Sequence, residues 1–178
     1  MSIFGKKEQG LRIATGVVAL GLAGVVAMPV LAAPQGCFER RYSEDHLARN
    51  PAQVVQEMSV AFGGFAGDDV PWMDVTIIAA PQGHAADAGQ GGELFGTIAR
   101  CTPSDVTLYG WSCSVECDGG TLHIEQLDDR KLKMWTEYFL LGTGDDCGGA
   151  LDLAEVPLTA VTYHLNRVPD ARCEGRWP

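Results

Sequence analysis

The feature that most constrains the fold is the segment 111–120, Trp-Ser-Cys-Ser-Val-Glu-Cys-Asp-Gly-Gly. Apolar and polar residues alternate along it, which is the pattern of a half-buried β-strand, and the final Asp-Gly-Gly is typical of a tight turn. One face of this strand would carry Trp111, Cys113, Val115 and Cys117. We therefore expect a strand that brings two cysteines to the core, where covalent cross-links can join it.

The first 32 residues have the features of a secretory signal peptide. A basic start that includes Lys6 and Lys7 precedes a small and apolar run from Ile13 to Leu31, and we expect cleavage after Ala32. The alternative is an uncleaved membrane anchor, because the run could span a bilayer as an intact helix. Residues 33–178 would then form a single β domain that contacts a membrane only if the anchor is retained.

Cleavage after Ala32 leaves 146 residues, which suits one domain with a core large enough to need no metal. The remaining chain has 10 Lys and Arg against 22 Asp and Glu, a net charge of −12. Binding to nucleic acid and to anionic lipid depends on clustered basic residues. The composition therefore argues against nucleic acid as a partner, and the acidic surface suits a basic envelope protein. A small apolar ligand is the other possible partner.

Eight strands are predicted from period-two alternation and from the turn residues between them. They cover residues 37–42, 53–62, 72–80, 93–101, 111–117, 121–126, 131–141 and 160–168. Residues 43–48 form a turn or two of helix capped by Ser43, whereas 82–92 and 142–149 are predicted to be flexible loops. Segment 53–62 also fits a helix, but the glycines after it and its β-branched and aromatic residues favour a strand.

The short connections and the absence of βαβ spacing predict an all-β fold. We expect an antiparallel meander of about eight strands that closes into a barrel or a sandwich, with one short N-terminal helical turn and three disulfides.

All six cysteines lie after the apolar leader, and an even number in an exported chain indicates disulfides. In a meander each strand ends beside the start of the next, so the order of strands predicts which cysteines meet. The predicted pairs are Cys37–Cys173, Cys101–Cys113 and Cys117–Cys147. The first of these requires the sheet to close on itself.

Few motifs suggest chemistry. Cys113, Cys117 and His123 would be three ligands for zinc, but the second close pair of a structural zinc site is missing, so disulfides are favoured and no metal or cofactor is expected. The sequence has no Gly-x-Ser-x-Gly and no calcium loop, and its glycine-rich segment 142–149 lacks the lysine of a phosphate loop.

Four residues are candidates for ligand binding: His46, Glu116, Asp118 and Trp135. His46 follows two acids on the capped turn, which could raise its basicity; the alternative is a hydrogen bond that holds this turn on the barrel. Trp135 would contact a partner or carbohydrate if it faces outward. Glu116 and Asp118 are the acids that a hydrolase would use. No catalytic residue is assigned.

Segments 46–58, 113–120 and 167–173 together resemble a family of small exported bacterial proteins of unknown function. The most specific element is the shared Cys-x-Val-Glu-Cys-Asp-Gly-Gly block. Members of that family often carry Asp-Asp-Arg and Phe-Arg-Leu before the last cysteine, and Leu158–Leu165 stands there in this chain. The resemblance implies export and a common cysteine framework, and it implies no catalytic residues.

These observations predict an exported cell-envelope protein, periplasmic or secreted, that is not an enzyme and binds a small ligand in a β-barrel. An eight-stranded barrel is just wide enough to be filled by its own side chains or to hold one small ligand. The alternative is a protein-interaction module, such as an inhibitor or an accessory subunit of an envelope complex. A third possibility is a polysaccharide or peptidoglycan hydrolase.

Overall fold

A computed structural model describes residues 32–64, 70–142 and 150–174. Its centre is a closed barrel of eight antiparallel strands. The predicted signal segment lies almost wholly outside the described residues, as do Cys147 and most of the loop 142–149.

Ten strands and two short α-helices occur in the described part of the chain, together with a final 3-10 turn at Asp170–Arg172. In chain order they are β1 (Gly36–Arg41), α1 (Glu44–Arg49), β2 (Val55–Gly63), β3 (Trp72–Ala79), α2 (Gly83–Asp87), β4 (Leu94–Pro103), β5 (Trp111–Ser114), β6 (Thr121–Leu127), β7 (Lys131–Thr136), β8 (Leu140–Leu141), β9 (Leu151–Asp152) and β10 (Val161–Val168).

The barrel has the connectivity of an up-and-down meander. Each strand pairs with the next barrel strand along the chain, and β10 pairs with β1 to close the sheet. This confirms the predicted all-β antiparallel meander and decides between its two forms in favour of a barrel. The strands β8 and β9 form a separate two-stranded ribbon.

The connections at the two ends of the barrel differ. The end where β1, β3, β5 and β7 finish carries α1, α2 and the β8–β9 ribbon, and we call it the capped end. The hydrophobic core includes residues of these connections as well as of the barrel strands. They are Phe139, which precedes β8, Leu141 of β8 and Ala85 of α2. The connections at the capped end therefore extend the core.

The barrel interior is filled by side chains at alternating positions of its strands. Its largest fully buried members include Phe38, Met58, Met73, Ile77, Phe95, Leu122, Ile124, Leu132, Met134 and Tyr163. Burial of a side chain of this size contributes about 1.5–3 kcal/mol relative to its exposure. The hydrophobic effect on these inward positions is thus the main force that holds the sheet in its closed form.

The predicted helical turn is present as α1. Ser43 has an extended backbone and its hydroxyl accepts a hydrogen bond from the His46 amide at 3.2 Å, which is the expected N-cap. Leu47 is the buried residue of this helix. The side chain of Gln82 donates hydrogen bonds to the carbonyls of Leu47, Asn50 and Gln53, which ties the segment after β3 to the end of α1.

The prediction of a flexible loop at 82–92 was wrong, because α2 forms within it. Ala85 is completely buried, and a left-handed backbone at Gly83 starts the helix where a Cβ would lie 2.7 Å from the Ala52 carbonyl oxygen. The small residues that suggested mobility instead allow this segment to pack closely against the barrel.

The predicted strand 131–141 is interrupted after Thr136. The Thr136 hydroxyl donates to the Thr121 carbonyl at 2.7 Å and accepts from the Tyr138 amide at 3.0 Å. This side chain therefore takes the place of the regular backbone hydrogen bonds between β6 and β7. The alternation changes phase at this point: Phe139 and Leu141 are buried, whereas Tyr138 is 41% exposed. Uninterrupted alternation along the predicted strand 131–141 would place Tyr138 and Leu140 on the inner face with Leu132 and Met134, and this expectation was wrong.

The predicted strand 111–117 ends at Ser114 instead. Cys117 and Asp118 have φ angles of 59° and 60°, which belong to a turn rather than to a strand. Cys117 is therefore exposed, whereas Trp111 and Cys113 occupy the inner face as expected.

Two disulfides occur within the described residues, not three. Cys37 and Cys173 are bonded with their Cα atoms 5.9 Å apart, and Cys101 is bonded to Cys113, its directly opposite partner in the β4–β5 register. The third predicted pair, Cys117–Cys147, includes a residue outside the described ranges and stays a prediction. These bonds indicate an oxidising compartment outside the cytoplasm.

The two disulfides close loops of very different length, 136 and 12 residues. Chain entropy alone then predicts that loss of Cys37–Cys173 destabilises the protein by about 5 kcal/mol and loss of Cys101–Cys113 by about 3 kcal/mol. Urea unfolding of the paired Cys→Ala variants measures both values. Comparison with reduced wild-type protein separates the cross-link from the cavity that the substitutions leave. A larger loss for the Cys101–Cys113 pair would contradict this expectation.

Candidate functional site

The barrel is incompletely closed between β1 and β10. These two strands share a register of three residue pairs, Cys37–Glu39 opposite 166–168. On its other side β10 pairs with β7 from Val161 to Asn166. Residues 161–165 therefore have no strand partner on the β1 side within the described chain, and the seam is open at the capped end.

The hydrogen-bonding direction of β10 follows from its neighbours. The Arg167 amide donates to the Arg130 carbonyl at 2.7 Å, on the β7 side. Because backbone groups of alternate residues face opposite neighbours in an antiparallel sheet, Val161, Tyr163 and Leu165 also face β7. The N–H and C=O groups of Thr162 and His164 consequently face the open seam.

The open seam forms one wall of a cleft of about 390 Å³, which we call the seam cleft. Its lining includes Arg40, Tyr42, His46, Gln53, Glu155 and residues 160–164. These residues come from the end of β1, from α1 and the turn after it, from the segment before β10 and from β10 itself. The cleft thus lies where four parts of the chain meet at the capped end.

His46 lies in the seam cleft, where its position is fixed by two contacts. Its Nε2 is 2.9 Å from the Gln53 side-chain oxygen, and its ring centre is 4.7 Å from that of Tyr42. Gln53 in turn donates to the Val55 carbonyl at 2.7 Å. This chain of contacts holds α1 on the barrel, in agreement with the structural alternative considered for His46.

Arg40 is the basic side chain of the cleft that lacks a full set of partners. Its guanidinium carbon lies 5.2 Å from the centre of the Tyr42 ring, which is cation–π distance, and its buried Nε has no hydrogen-bond partner in the described chain. By contrast, Arg41 pairs with Glu57 and Arg172 pairs with Glu39. A buried polar group without a partner costs about 1–3 kcal/mol, so a ligand that paired with Arg40 would recover this free energy.

Burial raises the pKa of three acidic groups in or beside the cleft. Desolvation raises the pKa of Tyr42 to about 12 despite the opposing effect of Arg40, and it raises the pKa of Glu155, which His46 opposes. Desolvation also raises the pKa of the fully buried Tyr163, whose hydroxyl donates to the Leu153 carbonyl at 2.8 Å. The inner part of the cleft is therefore a poorly solvated environment, in which a new ion pair would be strong.

Basic residues are concentrated around the seam although the protein is acidic. Nine arginines and lysines occur in the described ranges, and Arg100 alone lies outside β1, α1, β7, β10 and the turns that adjoin them. We call the other eight the basic band: Arg40, Arg41, Arg49, Arg130, Lys131, Lys133, Arg167 and Arg172. The same elements and turns carry eight acids as well: Glu39, Glu44, Asp45, Asp128, Asp129, Glu137, Asp170 and Glu174. The region around the seam is therefore close to neutral although the protein as a whole is acidic.

The other predicted site residues lie elsewhere. Glu116 and Asp118 are exposed on the turn between β5 and β6, and β5 is four strands from β1 in either direction around the barrel. Trp135 is on the outer face of β7, where its ring centre is 4.3 Å from that of His123. The structure therefore does not bring the four candidates into one site, and it places only His46 in the seam cleft.

A serine–histidine pair that the sequence did not suggest occurs on the outer face of the barrel. Ser112 Oγ lies 2.8 Å from His123 Nδ1 across the β5–β6 pair, and burial lowers the pKa of His123 against the opposing effect of Glu137. Ser112 belongs to a regular strand, whereas a nucleophilic serine needs a strained turn and an oxyanion hole. The pair is best described as a cross-strand hydrogen bond.

Cys113 is bonded to Cys101, so it has no thiolate for the zinc site considered with Cys117 and His123. Among the described residues no three His, Cys, Asp or Glu side chains are grouped closely enough to hold a metal ion. No helix in the same part of the chain has the length and apolar character needed to cross a bilayer.

Comparison with known protein families, with curated proteins and with solved structures gave no match for this chain. The resemblance noted from the Cys-x-Val-Glu-Cys-Asp-Gly-Gly block stays a prediction.

The open seam predicts an alternating pattern of amide exchange along β10. The Thr162 and His164 amides face the cleft and should exchange rapidly, whereas the Val161, Tyr163 and Leu165 amides bond to β7 and should be protected. Hydrogen–deuterium exchange followed by NMR on the oxidised, exported protein measures each amide. Equal protection of Thr162 and Tyr163 would show that the seam is closed in solution.

Burial of Tyr42 predicts a loss of stability at high pH. The folded state resists ionisation until about pH 12, whereas the unfolded phenol ionises near pH 10, so this group destabilises the folded state as pH rises between these values. The expected loss is on the order of 2 kcal/mol. Urea unfolding of wild type and Tyr42→Phe at neutral and high pH measures it. A stability difference between the two proteins that does not change with pH would contradict it.

Proposed function

We propose that this is a non-enzymatic binding protein of the periplasm or extracellular space, and that its ligand presents a carboxylate to Arg40 in the seam cleft. One observation carries the proposal: an unpaired arginine and an unpaired strand edge line the same open cleft. Arginine binds carboxylates through paired, charge-assisted hydrogen bonds.

The cleft is a better candidate than the barrel interior. Large side chains such as Phe38, Met58, Phe95 and Met134 fill the interior and are fully buried. A small apolar ligand inside the barrel would have to displace some of these side chains at a cost of several kcal/mol. The seam cleft, by contrast, is already open and has room for a few residues or a small organic acid.

A protein partner is favoured over a metabolite by two exposed apolar side chains in the segment that leads into β10. Val156 and Leu158 lie in the segment between Glu155 and Ala160, both of which line the cleft, and they are 50% and 85% exposed. Leu158 also has a φ of 58°, an unfavourable backbone conformation for leucine. Neighbouring exposed apolar side chains are a feature of protein interfaces when they form a continuous patch. This supports the interaction-module alternative.

The third predicted function, a polysaccharide or peptidoglycan hydrolase, depends on Glu116 and Asp118. Both acids are exposed on the β5–β6 turn, on the side of the barrel opposite the seam. The seam cleft therefore gives no support to a hydrolase function that uses these two acids.

The proposal is tested with N-acetylphenylalanine as the carboxylate probe and its amide as the neutral control. We expect the acid to shift NMR signals of Tyr42, His46, Thr162 and His164, and to bind about 10-fold or more tightly than the amide, because one charge-assisted hydrogen bond contributes about 1.5–3 kcal/mol.

Arg40→Gln should reduce binding of the acid by at least about 10-fold, whereas Arg49→Gln, at an exposed position of the same basic band, should not. Thermal unfolding of both variants verifies that they fold. Equal binding of acid and amide, an unchanged affinity in Arg40→Gln, or the absence of any shift in the cleft would overturn the proposal.

A further inference from the structure

Resting on the proposed function, we infer that the ligand of the seam cleft is an extended peptide that adds to the free edge of β10 as an antiparallel strand. The peptide would take the place that β1 leaves after Glu39, and it would carry a carboxylate inward to Arg40.

The hydrogen-bonding capacity for such a strand is present and unused. Thr162 and His164 direct two N–H and two C=O groups into the seam, and no strand covers them in the described chain. Exposed strand edges are usually protected by proline, bulges, lysine or a covering element, because they pair readily with another chain. The edge at 161–165 has none of the residue types that prevent pairing. Peptide binding by strand addition uses this kind of edge.

The geometry of the pairing fixes which side chain of the peptide enters the cleft. Directly opposite residues of an antiparallel pair point to the same face of the sheet. Tyr163 points inward and is buried, whereas Thr162 and His164 point outward and are exposed. The peptide residue opposite Tyr163 therefore points inward, toward Tyr42 and Arg40, which line the same cleft.

The same register assigns the backbone bonds. The two peptide residues that flank the inward one lie opposite Thr162 and His164, and they exchange N–H and C=O bonds with them. The N–H of the inward residue faces away from β10. The recognised pattern is thus an acidic residue between two residues whose backbones pair with Thr162 and His164. A peptide that ends at the same depth would present its C-terminal carboxylate instead and would form only the first of these pairs.

Charge complementarity selects an acidic peptide over a basic one at this position. Arg40 forms none of the ion pairs between described residues, and its buried Nε has no hydrogen-bond partner there. Desolvation raises the pKa of the Glu155 carboxyl in the same cleft. Flanking apolar residues of the peptide could cover the exposed side chains of Val156 and Leu158, which lie in the segment before β10. The carboxylate of the peptide would thus pair with Arg40, and its backbone would pair with the free edge of β10.

The test uses the acetylated and amidated pentapeptide Val-Thr-Glu-Thr-Val and the oxidised, exported protein. Three matched peptides carry N-methyl groups on both threonines, an N-methyl group on the glutamate alone, or glutamine in place of glutamate. A fourth has a free C-terminus directly after the second residue, so that a terminal carboxylate takes the place of the acidic side chain. Affinity is measured by calorimetry, and amide exchange is followed along β10.

We expect methylation of both threonines to weaken binding by about 10-fold or more, since two backbone hydrogen bonds are lost, and methylation of the glutamate to leave the affinity within about threefold. The glutamine peptide should bind about 10-fold more weakly and should not respond to Arg40→Gln. Bound peptide should protect the Thr162 and His164 amides and leave Tyr163 unchanged. Tighter binding of the truncated peptide than of the pentapeptide would identify a C-terminal carboxylate as the recognised group.

Equal effects of the two methylation patterns, or no new protection at Thr162 and His164, would overturn strand addition while the carboxylate dependence still supported the cleft. Binding of N-acetylphenylalanine without binding of any peptide would also reject the peptide and retain the proposed function. If neither N-acetylphenylalanine nor any of the peptides binds, both the proposed function and strand addition are rejected.

Discussion

The structure depends on how the barrel is closed. Seven of the eight junctions between neighbouring strands join segments that are consecutive barrel strands along the chain, and a connection links each of these pairs. The β1–β10 junction joins the two ends of the barrel, with three residue pairs and the Cys37–Cys173 bond beside them. The bond places the covalent constraint at the end of the seam where β1 and β10 are paired. The other end is thereby left without a constraint that would force the strands together.

The divergence of the two strands has a local cause in β1. This strand stays paired with β2 as far as Arg41, and the Tyr42 amide still donates to the Gln56 carbonyl before Ser43 starts α1. The chain therefore follows β2 into the cap, and α1 is anchored there through His46 and Gln53. Because β1 follows β2 beyond Glu39, β10 loses its neighbour, and the cleft is a direct consequence of the helix that caps the barrel.

Much of the fold could be predicted from alternation and turn residues, because both are local properties of the sequence. The order of strands also predicted two disulfides, since neighbouring strand ends in a meander are fixed by connectivity. The prediction failed where tertiary contacts override the local pattern. The Thr136 hydroxyl replaces a backbone hydrogen bond of the sheet, and Ala85 is buried although its small-residue segment was predicted to be a flexible loop. No sequence pattern distinguishes a mobile alanine from a buried one.

The site was harder to predict than the fold. His46 was a candidate because its neighbours are acidic, whereas its actual partners, Gln53 and Tyr42, are polar and aromatic. Arg40 was missed, although a signal was present: it shares the parity of Phe38 and Tyr42, so the alternation places a cation on the inner face of β1. The open edge of β10 depends on pairing between the two ends of the barrel, and no local pattern reports it.

The acidic net charge of the protein and the single cation Arg40 in the cleft impose opposite preferences at different distances. The mature chain would carry −12, which repels an anionic ligand at long range. At physiological ionic strength such repulsion is screened beyond about 8 Å, whereas an ion pair in a desolvated cleft is screened much less. An acidic ligand is then excluded from most of the surface and stabilised at Arg40 alone. The charge distribution therefore favours selectivity over rapid association, and it makes the backbone edge and the exposed side chains of Val156 and Leu158 necessary contributors to affinity.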